Sequence, residues 1–461
     1  MPKPIILNAF SMNTPSHLSP GLWRHPRDKG TAYTKLSTWI ELAQLLERGG
    51  FSALFLADSL GAYESFGGSP ESTYRHGLHA PINDPFLLVP AMAAATRHLA
   101  FAVTASVSYE HPFALARRFS TLDHLTEGRI GWNIVTSALD SAARNFGRPA
   151  QLDHDARYDR AEEYLQVCYK LWEGSWDDDA VRRDKASGLY ADPSRIRAID
   201  HHGDYFDVAG PHLCEPSRQR SPVLYQAGAS QRGRAFAATH AECIFVGAPS
   251  KPALSRTVKN LRAALAAAGR DPASVPIIAE HTVITAPTAG QAEAKRLDYQ
   301  RYASPEGALT LMSGWIGVDL SRYSLDDPFE HVESNAIRSA VDAMSANDPG
   351  RVWTIGEIAA YLGIGGLSPA TSGPPEGVAD ALEGWIADTG IDGFNLSYAV
   401  LDDSFRDFVD LVAPVLARRG LHPGYEPGSF RQKLFGRGDR LPTSHPAAAF
   451  RHGAQPALGL A

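Results

Sequence analysis

The sequence predicts an α/β protein, a (β/α)8 TIM barrel with long insertions over the C-terminal face of the strands and a C-terminal extension. Three observations lead there. Short apolar runs alternate with segments of helical period along nearly the whole chain, giving about eight strand–helix units, the number that closes a barrel. Several runs are apolar without a break, FSALFLA at 51–57 most clearly, as a parallel strand covered on both faces requires. Helix-period segments open and close on residues that cap helices, such as Asp84-Pro85 and Gly49-Gly50.

In chain order, residues 5–9 form the first strand. The segment 34–48 has helical period, with Leu36, Ile40, Leu42, Leu45 and Leu46 able to face a core. After the strand at 51–57, Asp84-Pro85 opens a helix that leads to a second continuous apolar strand at 99–105. A helix at 112–124, a strand at 129–135 and a long helix at 156–172 follow. Strands are expected at 222–226, 241–246 and 275–285, and helices at 232–239, 251–268 and 289–302. The last unit is a helix at 375–389, a strand at 393–397 (GFNLS) and a helix at 404–418.

Three segments interrupt this rhythm: 61–81, 177–219 and 303–374, the last rich in Gly, Ser and Pro with only short helical patches. Loops of that length are usually functional lids or linkers, and in a barrel the insertions that follow strand ends roof the site. Residues beyond about 421 read as a tail of little periodicity. With no internal repeat or low-complexity tract, residues 1–461 are expected to form a single barrel domain.

The chain has 461 residues, 44% of them hydrophobic, enough for a large core. A net charge of −7 argues against a nucleic-acid or anionic-membrane surface. The basic group Arg431, Lys433, Arg437 and Arg440 reads as a solvated tail that packs on a neighbour in preference to a binding surface. Cys168, Cys214 and Cys243 are widely spaced and form no CxxC pair, so they read as buried thiols of a reducing compartment. No signal-peptide h-region and no apolar run of about 18 residues occurs, and a soluble cytoplasmic protein is expected. His201 and His202 are adjacent, and HxH, HExxH, GxxxxGK[ST] and a nucleophile elbow are missing, so no metal site, nucleotide triphosphate or hydrolase serine is expected.

The chemistry concentrates in GWNIVTS (131–137), HDARYD (154–159) and QAGAS (226–230), which read as a strand end, a helix start and a strand-to-helix turn. Together they offer an amide, an imidazole, a phenol, a hydroxyl and free backbone N–H groups, an inventory suited to a planar, phosphorylated cofactor such as FMN. Asn133 lies among apolar neighbours, where its amide needs a ligand edge or buried backbone to satisfy it. His154, Tyr158, Ala229 and Ser230 sit at helix starts, whose unpaired N–H groups and partial positive charge favour a phosphate. An ordinary N-cap is the alternative for Ser230. Gly228 would let the backbone approach closely. Asp58 and Ser106 end apolar strands at the same rim, Asp58 as an acceptor for an imide N–H or as a turn cap. His17 follows the first strand, with Phe10 beside it, and offers a proton or hydrogen bond to a reacting oxygen or else packs a loop. Tyr63 and His79 in the first insertion can line the same cavity.

These segments also carry a resemblance. GLWRHP at 21–26, FLAD at 55–58, YEHPFALARRFSTLDHLTEGRIGWNIVTS at 109–137, HDARYDRAEEYL at 154–165, LYQAGAS at 224–230, DGFNLSY and the tail PGSFRQKLFGRGDRLP resemble the bacterial-luciferase superfamily over nearly the whole chain. The branch is that of nitrilotriacetate monooxygenase component A and the dibenzothiophene-sulfone and long-chain alkane monooxygenases. It implies a barrel that takes reduced FMN, FMNH2, from a separate NAD(P)H-dependent flavin reductase. Through a flavin C4a-(hydro)peroxide, one oxygen of O2 then enters a small organic substrate. By the same resemblance Asp58, Ser106 and Asn133 hold the ring or ribityl part, and His154, Tyr158 and Ser230 the phosphate. Phe10, His17 and Tyr63 fall in the reaction pocket. Ala138 and His79 stand where the alkane enzyme has histidine and glutamine, and no histidine occurs between His281 and His331, although branch members carry one in the region of 311–315. The small and apolar residues near Ala138, Met312 and Trp315 favour an apolar or aromatic substrate, with His17 and His79 as the proton-handling groups. A homodimer or homotetramer is expected. Hydride transfer by flavin or F420 without O2, as elsewhere in the superfamily, is the alternative.

Overall fold

The structure is a computed structural model that describes residues 4–228, 230–329, 352–422, 424–425 and 427–452. Eight parallel strands form the barrel: β1 (Ile6–Met12), β2 (Ala53–Ala57), β3 (Ala100–Ser106), β4 (Ile130–Val135), β5 (Val223–Gln226), β6 (Cys243–Val246), β7 (Ile277–Thr285) and β8 (Gly393–Ser397). Each pairs with the next, and β8 pairs with both β7 and β1, so the sheet closes. The eight predicted strands are all present, with ends shifted by up to three residues.

Alternation along each strand divides two cores. On β1, Leu7 and Ala9 point outward into the large core beneath the helices, while Phe10 and Met12 line the central cavity. The inner core is small and aromatic. Ala53, Ala100 and Ala102 on β2 and β3 leave room for Phe55, Tyr225 and Phe245, whose rings meet at 4.3 Å (Phe55–Phe245) and 4.9 Å (Tyr225–Phe245). This plug fills the lower barrel and leaves its upper, C-terminal mouth hollow.

The surrounding helices follow the predicted order. Asp84 does cap as expected, accepting from the Phe86 N–H at 2.8 Å, but it opens a short 3-10 turn at Pro85–Leu87, and the helix proper is Val89–Ala94. The long helix begins at His154 and runs to Tyr169 before a π turn at Lys170–Gly174. No helix among the described residues is long and apolar enough to cross a membrane.

The insertions differ from expectation in two ways. Residues 303–374 hold more than short patches. Helices Pro305–Ile316 and Ile355–Leu362, capped by Ser304 and Thr354, pack on each other through Leu309, Met312, Ile355, Ile358 and Leu362. The strand Ala370–Gly373 then extends the sheet beside the end of β7. Residues 177–219 form two small antiparallel ribbons that enter between a helix and the start of β5, not directly after a strand end.

Of the basic tail residues Arg431, Lys433, Arg437 and Arg440, read as solvated, only Arg437 stays exposed. Helix Phe430–Phe435 closes the N-terminal end of the barrel: Phe430 enters the inner core and its N–H donates to the Gly128 carbonyl at 2.7 Å. Arg431 is buried and forms a two-pronged pair with Glu242, at 2.8 and 2.9 Å. Arg440 pairs with Glu173 and Asp178, Lys433 donates to the His98 carbonyl at 3.1 Å, and Arg437 lies over the Phe435 ring. The physical reason is that buried carboxylates on the barrel's underside need cations, which the tail of the same chain supplies.

Candidate active site

Two lobes of one cavity open at the C-terminal ends of the strands. The wider has a volume of about 540 Å³ and the narrower about 390 Å³. Phe10, Ala57, Asp58, Thr104, Val135, Gly247 and Glu280 border both.

The narrower lobe is lined by hydrogen-bonding groups with unmet capacity. Strand register sets Thr104, Asn133 and Tyr225 side by side on β3, β4 and β5. Asn133 is buried; its Nδ2 donates to Thr104 Oγ1 at 2.9 Å, while its Oδ1 has no partner. Asn395 Oδ1 on β8 is likewise buried and unpartnered. Such groups are costly unless something satisfies them. A ligand with alternating donors and acceptors along one edge fits that need.

Beyond these amides lies the turn from β5 into helix Gln231–His240. Ser230 is its N-cap, the Oγ accepting from the Gly233 N–H at 2.9 Å, so the cap reading holds and the hydroxyl hydrogen is left to donate. A Cβ at Gly228 would stand 2.8 Å from the Gly233 carbonyl carbon and 2.7 Å from Gln226 Nε2. Tyr158 reaches the same turn, since a Cβ on Gly233 would meet its hydroxyl at 2.7 Å. His154 is half-exposed, paired with Asp155 at 2.7 Å, and its ring centroid is 5.2 Å from that of Tyr158. The first turn of one helix and the cap of another thus converge, where a phosphate would be stabilised without a metal. Ala229 lies outside the described residues.

The wider lobe gathers residues from distant parts of the chain. Phe10 and His17 meet edge to face at 4.5 Å, His17 and His79 lie at 5.5 Å, and Tyr63 and His79 at 5.3 Å. His79 Nε2 lies 3.0 Å from the His17 carbonyl oxygen, which makes that nitrogen the donor. Ala138 and Trp315 line the apolar side with Leu18, Leu60 and Leu139. Ser106 and Ser137 hydroxyls are bonded at 2.7 Å at the rim. His79 (φ 53°) and Ser137 (φ 47°) both hold left-handed backbone, which a side chain resists. Strain of this kind clusters at functional sites.

Burial sets the protonation states. It pushes His17 well below its ordinary value and His79 down to about 4, the neighbouring histidine adding to the effect on His17. It pushes the Tyr63 phenol up to about 12, Asp58 up to about 7 and Glu280 up to about 8. At neutral pH the imidazoles are therefore uncharged, and Glu280 keeps its proton.

Every described site residue predicted from sequence falls at this mouth or at the helix starts beside it. The sequence reading missed Glu280, Asn395, Gly247 and Arg157. The Arg157 guanidinium donates to the Ser137 carbonyl and ties the helix start to the end of β4. Glu280 had one weak signal, an acid inside the largely apolar strand Ile277–Thr285.

A closed barrel with a two-lobed cavity at the strand ends defines an enzyme of the barrel class, with its active site at that mouth. The chain belongs to the luciferase-like monooxygenase family, whose profile matches residues 21–393. It is 47% identical over 453 residues to dimethyl-sulfide monooxygenase of Hyphomicrobium sulfonivorans, covering 98% of this chain and 94% of the relative. It is 48% identical over 454 residues to long-chain alkane monooxygenase of Geobacillus thermodenitrificans, covering 98% and 99%. The crystal structure of DmoA from Hyphomicrobium sulfonivorans superposes with a TM-score of 0.93 at 45% identity, over 99% of this chain and 100% of that one.

Proposed function

We propose that this protein is the oxygenase of a two-component, FMNH2-dependent monooxygenase, supplied by a separate NAD(P)H-dependent flavin reductase. The observation that carries the reading is the pairing of the two lobes. One has unsatisfied amides leading to paired helix starts; the other is apolar and walled by neutral imidazoles. FMN would lie with its ring against Asn133 and Asp58, its ribityl chain passing Ser106, and its phosphate at His154, Tyr158 and Ser230. When bound and reduced, the flavin supplies the chemistry that activates O2 and delivers one oxygen atom to the substrate.

The chain's own part is to bind, orient and keep water out. Phe10, Leu18, Leu139 and Trp315 exclude solvent from the wider lobe, which preserves a reactive species from side reactions. His17, being neutral, acts as a hydrogen-bond donor toward the substrate or oxygen and Tyr63 joins it, while His79, whose one N–H is held by the His17 carbonyl, accepts through its other ring nitrogen. The lining favours a small apolar or aromatic substrate, in keeping with relatives named for dimethyl sulfide and long-chain alkanes. Ala138 is the position where the pocket is widened by a missing side chain. We place the protein in the cytoplasm as a homodimer or homotetramer.

The deciding experiment supplies FMN, an FMN reductase, NADH and ¹⁸O2 to the protein and screens sulfides, sulfones, haloaromatics and alkanes. A product carrying one ¹⁸O is expected. Substrate turnover without oxygen uptake would replace the reading with hydride transfer.

A further inference from the structure

We propose that Glu280, which no motif marks, is a catalytic acid of this site, standing at the junction of the two lobes and delivering the proton that oxygen reduction consumes. The proposal rests on the flavin-monooxygenase reading above.

The geometry comes from β7. Ile278, Glu280 and Thr282 alternate inward, and Glu280 borders both the wider and the narrower lobe. Whatever fills either lobe meets its carboxyl. Oε1 has no hydrogen-bond partner, and neither has the adjacent Ser368 hydroxyl. Across from them is Gly247 on the continuation of β6. A Cβ there would lie 3.7 Å from Glu280 Oε2 and 3.4 Å from Ser368 Oγ, so the bare glycine leaves the carboxyl open to the cavity. Register places Asn395 of β8 beside Glu280 and Asn8 of β1 beside Asn395. Asn395 Oδ1 and both polar atoms of Asn8 lack partners. Three neighbouring strands thus carry an inward row of hydrogen-bonding groups at one level of the barrel.

The other groups facing this junction are poor proton sources. His17 and His79 are uncharged at neutral pH, as burial dictates, and the Tyr63 phenol is a weaker acid than usual. Tyr361, on the helix behind Ser368, is partly buried and raised to the same effect, and its hydroxyl is spent on the carbonyls of Pro249 and Leu367. Arg234 lines the narrower lobe, and a guanidinium does not release its proton in a protein. Asp58 is the one rival, and its carboxylate is stabilised by the Ser59 N–H. Burial raises Glu280 to about 8, the nearby Ser368 hydroxyl opposing it only in part, so it holds its proton at neutral pH.

The balance requires such a proton. Reduced flavin in its anionic form carries two electrons and one transferable hydrogen. With O2 and an organic substrate it gives oxidised flavin, the oxygenated product and water only if one further proton is taken up. The O–O bond breaks, one oxygen bonds to the substrate, and the other leaves as water with one hydrogen from the flavin and one from Glu280. The resulting carboxylate recovers its proton from solvent. With no substrate present, O2 is reduced to hydrogen peroxide and the same single proton is needed, so the role is testable before the substrate is known.

The test uses the full-length protein with FMN in wild-type, E280Q, E280D and D58N forms. Difference infrared spectroscopy of the flavin-free protein should show a protonated-carboxyl band at neutral pH that disappears on alkaline titration and is missing from E280Q. FMN fluorescence titration should give E280Q an affinity within about twofold of wild type. In stopped-flow mixing of enzyme-bound FMNH2 with O2, E280Q should oxidise the flavin about tenfold or more slowly, a general-acid effect of ordinary size. It should also lose the alkaline fall in rate that wild type and D58N retain, with E280D between the two. E280Q oxidation at the wild-type rate and pH profile would overturn the proposal alone, as would a carboxyl already ionised at neutral pH. If E280Q fails to fold, the wild-type infrared titration and the E280D rate decide by the same criteria. Wild-type protein that binds no FMN overturns the functional reading and this proposal with it.

Discussion

Two residues show how burial turns into function. Glu280 has a folded-state value near 8 against the ordinary 4.5, so the folded protein binds that proton more tightly than the unfolded chain. The penalty for burying its charge is absent in acid and grows as pH rises from about 4.5 to 8. E280Q, which removes the ionisation and keeps the shape, should therefore be more stable than wild type at neutral pH by on the order of 2 kcal/mol. In urea unfolding the difference should vanish near pH 4; a difference independent of pH would show that ionisation is not its source. Tyr158 makes the opposite kind of contribution. If its hydroxyl meets the phosphate, Tyr158→Phe should weaken FMN binding by about 1 kcal/mol or more, since hydrogen bonds to charged groups contribute roughly 1.5–3 kcal/mol. A fluorescence titration with unchanged affinity would remove that contact.

At the scale of elements, the two insertion helices Pro305–Ile316 and Ile355–Leu362, a lid whose Gly314 and Trp315 border the wider lobe, show what the sequence could and could not reveal. The barrel strands were legible because a parallel strand covered on both faces is apolar nearly throughout, and FSALFLA leaves little choice. Helix Pro305–Ile316 was not, because PEGALTLMSGWI is covered on most sides by the second lid helix and the loops, and so shows no polar stripe. Asn133, Tyr158 and Ser230 were legible because amide, phenol and cap fall at strand ends and helix starts that the pattern already located. Glu280 was not, since an acid on β7 says nothing until inward parity is known. The lid's bearing on the site comes down to Gly314. A Cβ there would stand 2.6 Å from Cε1 and Cγ of the Tyr63 ring. Neighbouring Trp315 lines the wider lobe. Gly314→Ala should push Tyr63 out of the lobe and lower monooxygenase turnover several-fold while FMN affinity stays unchanged. Loss of FMN affinity in that variant would mean that the lid shapes the narrower lobe as well.

Across the whole molecule, the mouth is hollow and the opposite end is held shut by the tail. Arg431 is the fastener. Its guanidinium meets both oxygens of Glu242 and donates to the carbonyls of Gln219, Ser221, Pro222 and Asp439. Four of these partners lie at the start of β5 or β6, so one side chain joins the tail to two barrel strands. A buried pair costs desolvation to form, yet removing one member leaves the other charge stranded, a loss of about 3–5 kcal/mol. Arg431→Ala should be destabilised by that amount in urea at neutral pH. Arg431 and its neighbours hold the Glu242 carboxyl below the ordinary range. The pair's contribution is therefore complete above about pH 4.5 and lost as pH falls through the lowered value. The gap between variant and wild type should accordingly narrow in acid. If Arg431→Ala unfolds like wild type at both pH values, the tail does not secure the barrel, and the inner aromatic plug around Phe430 must close that end by packing alone.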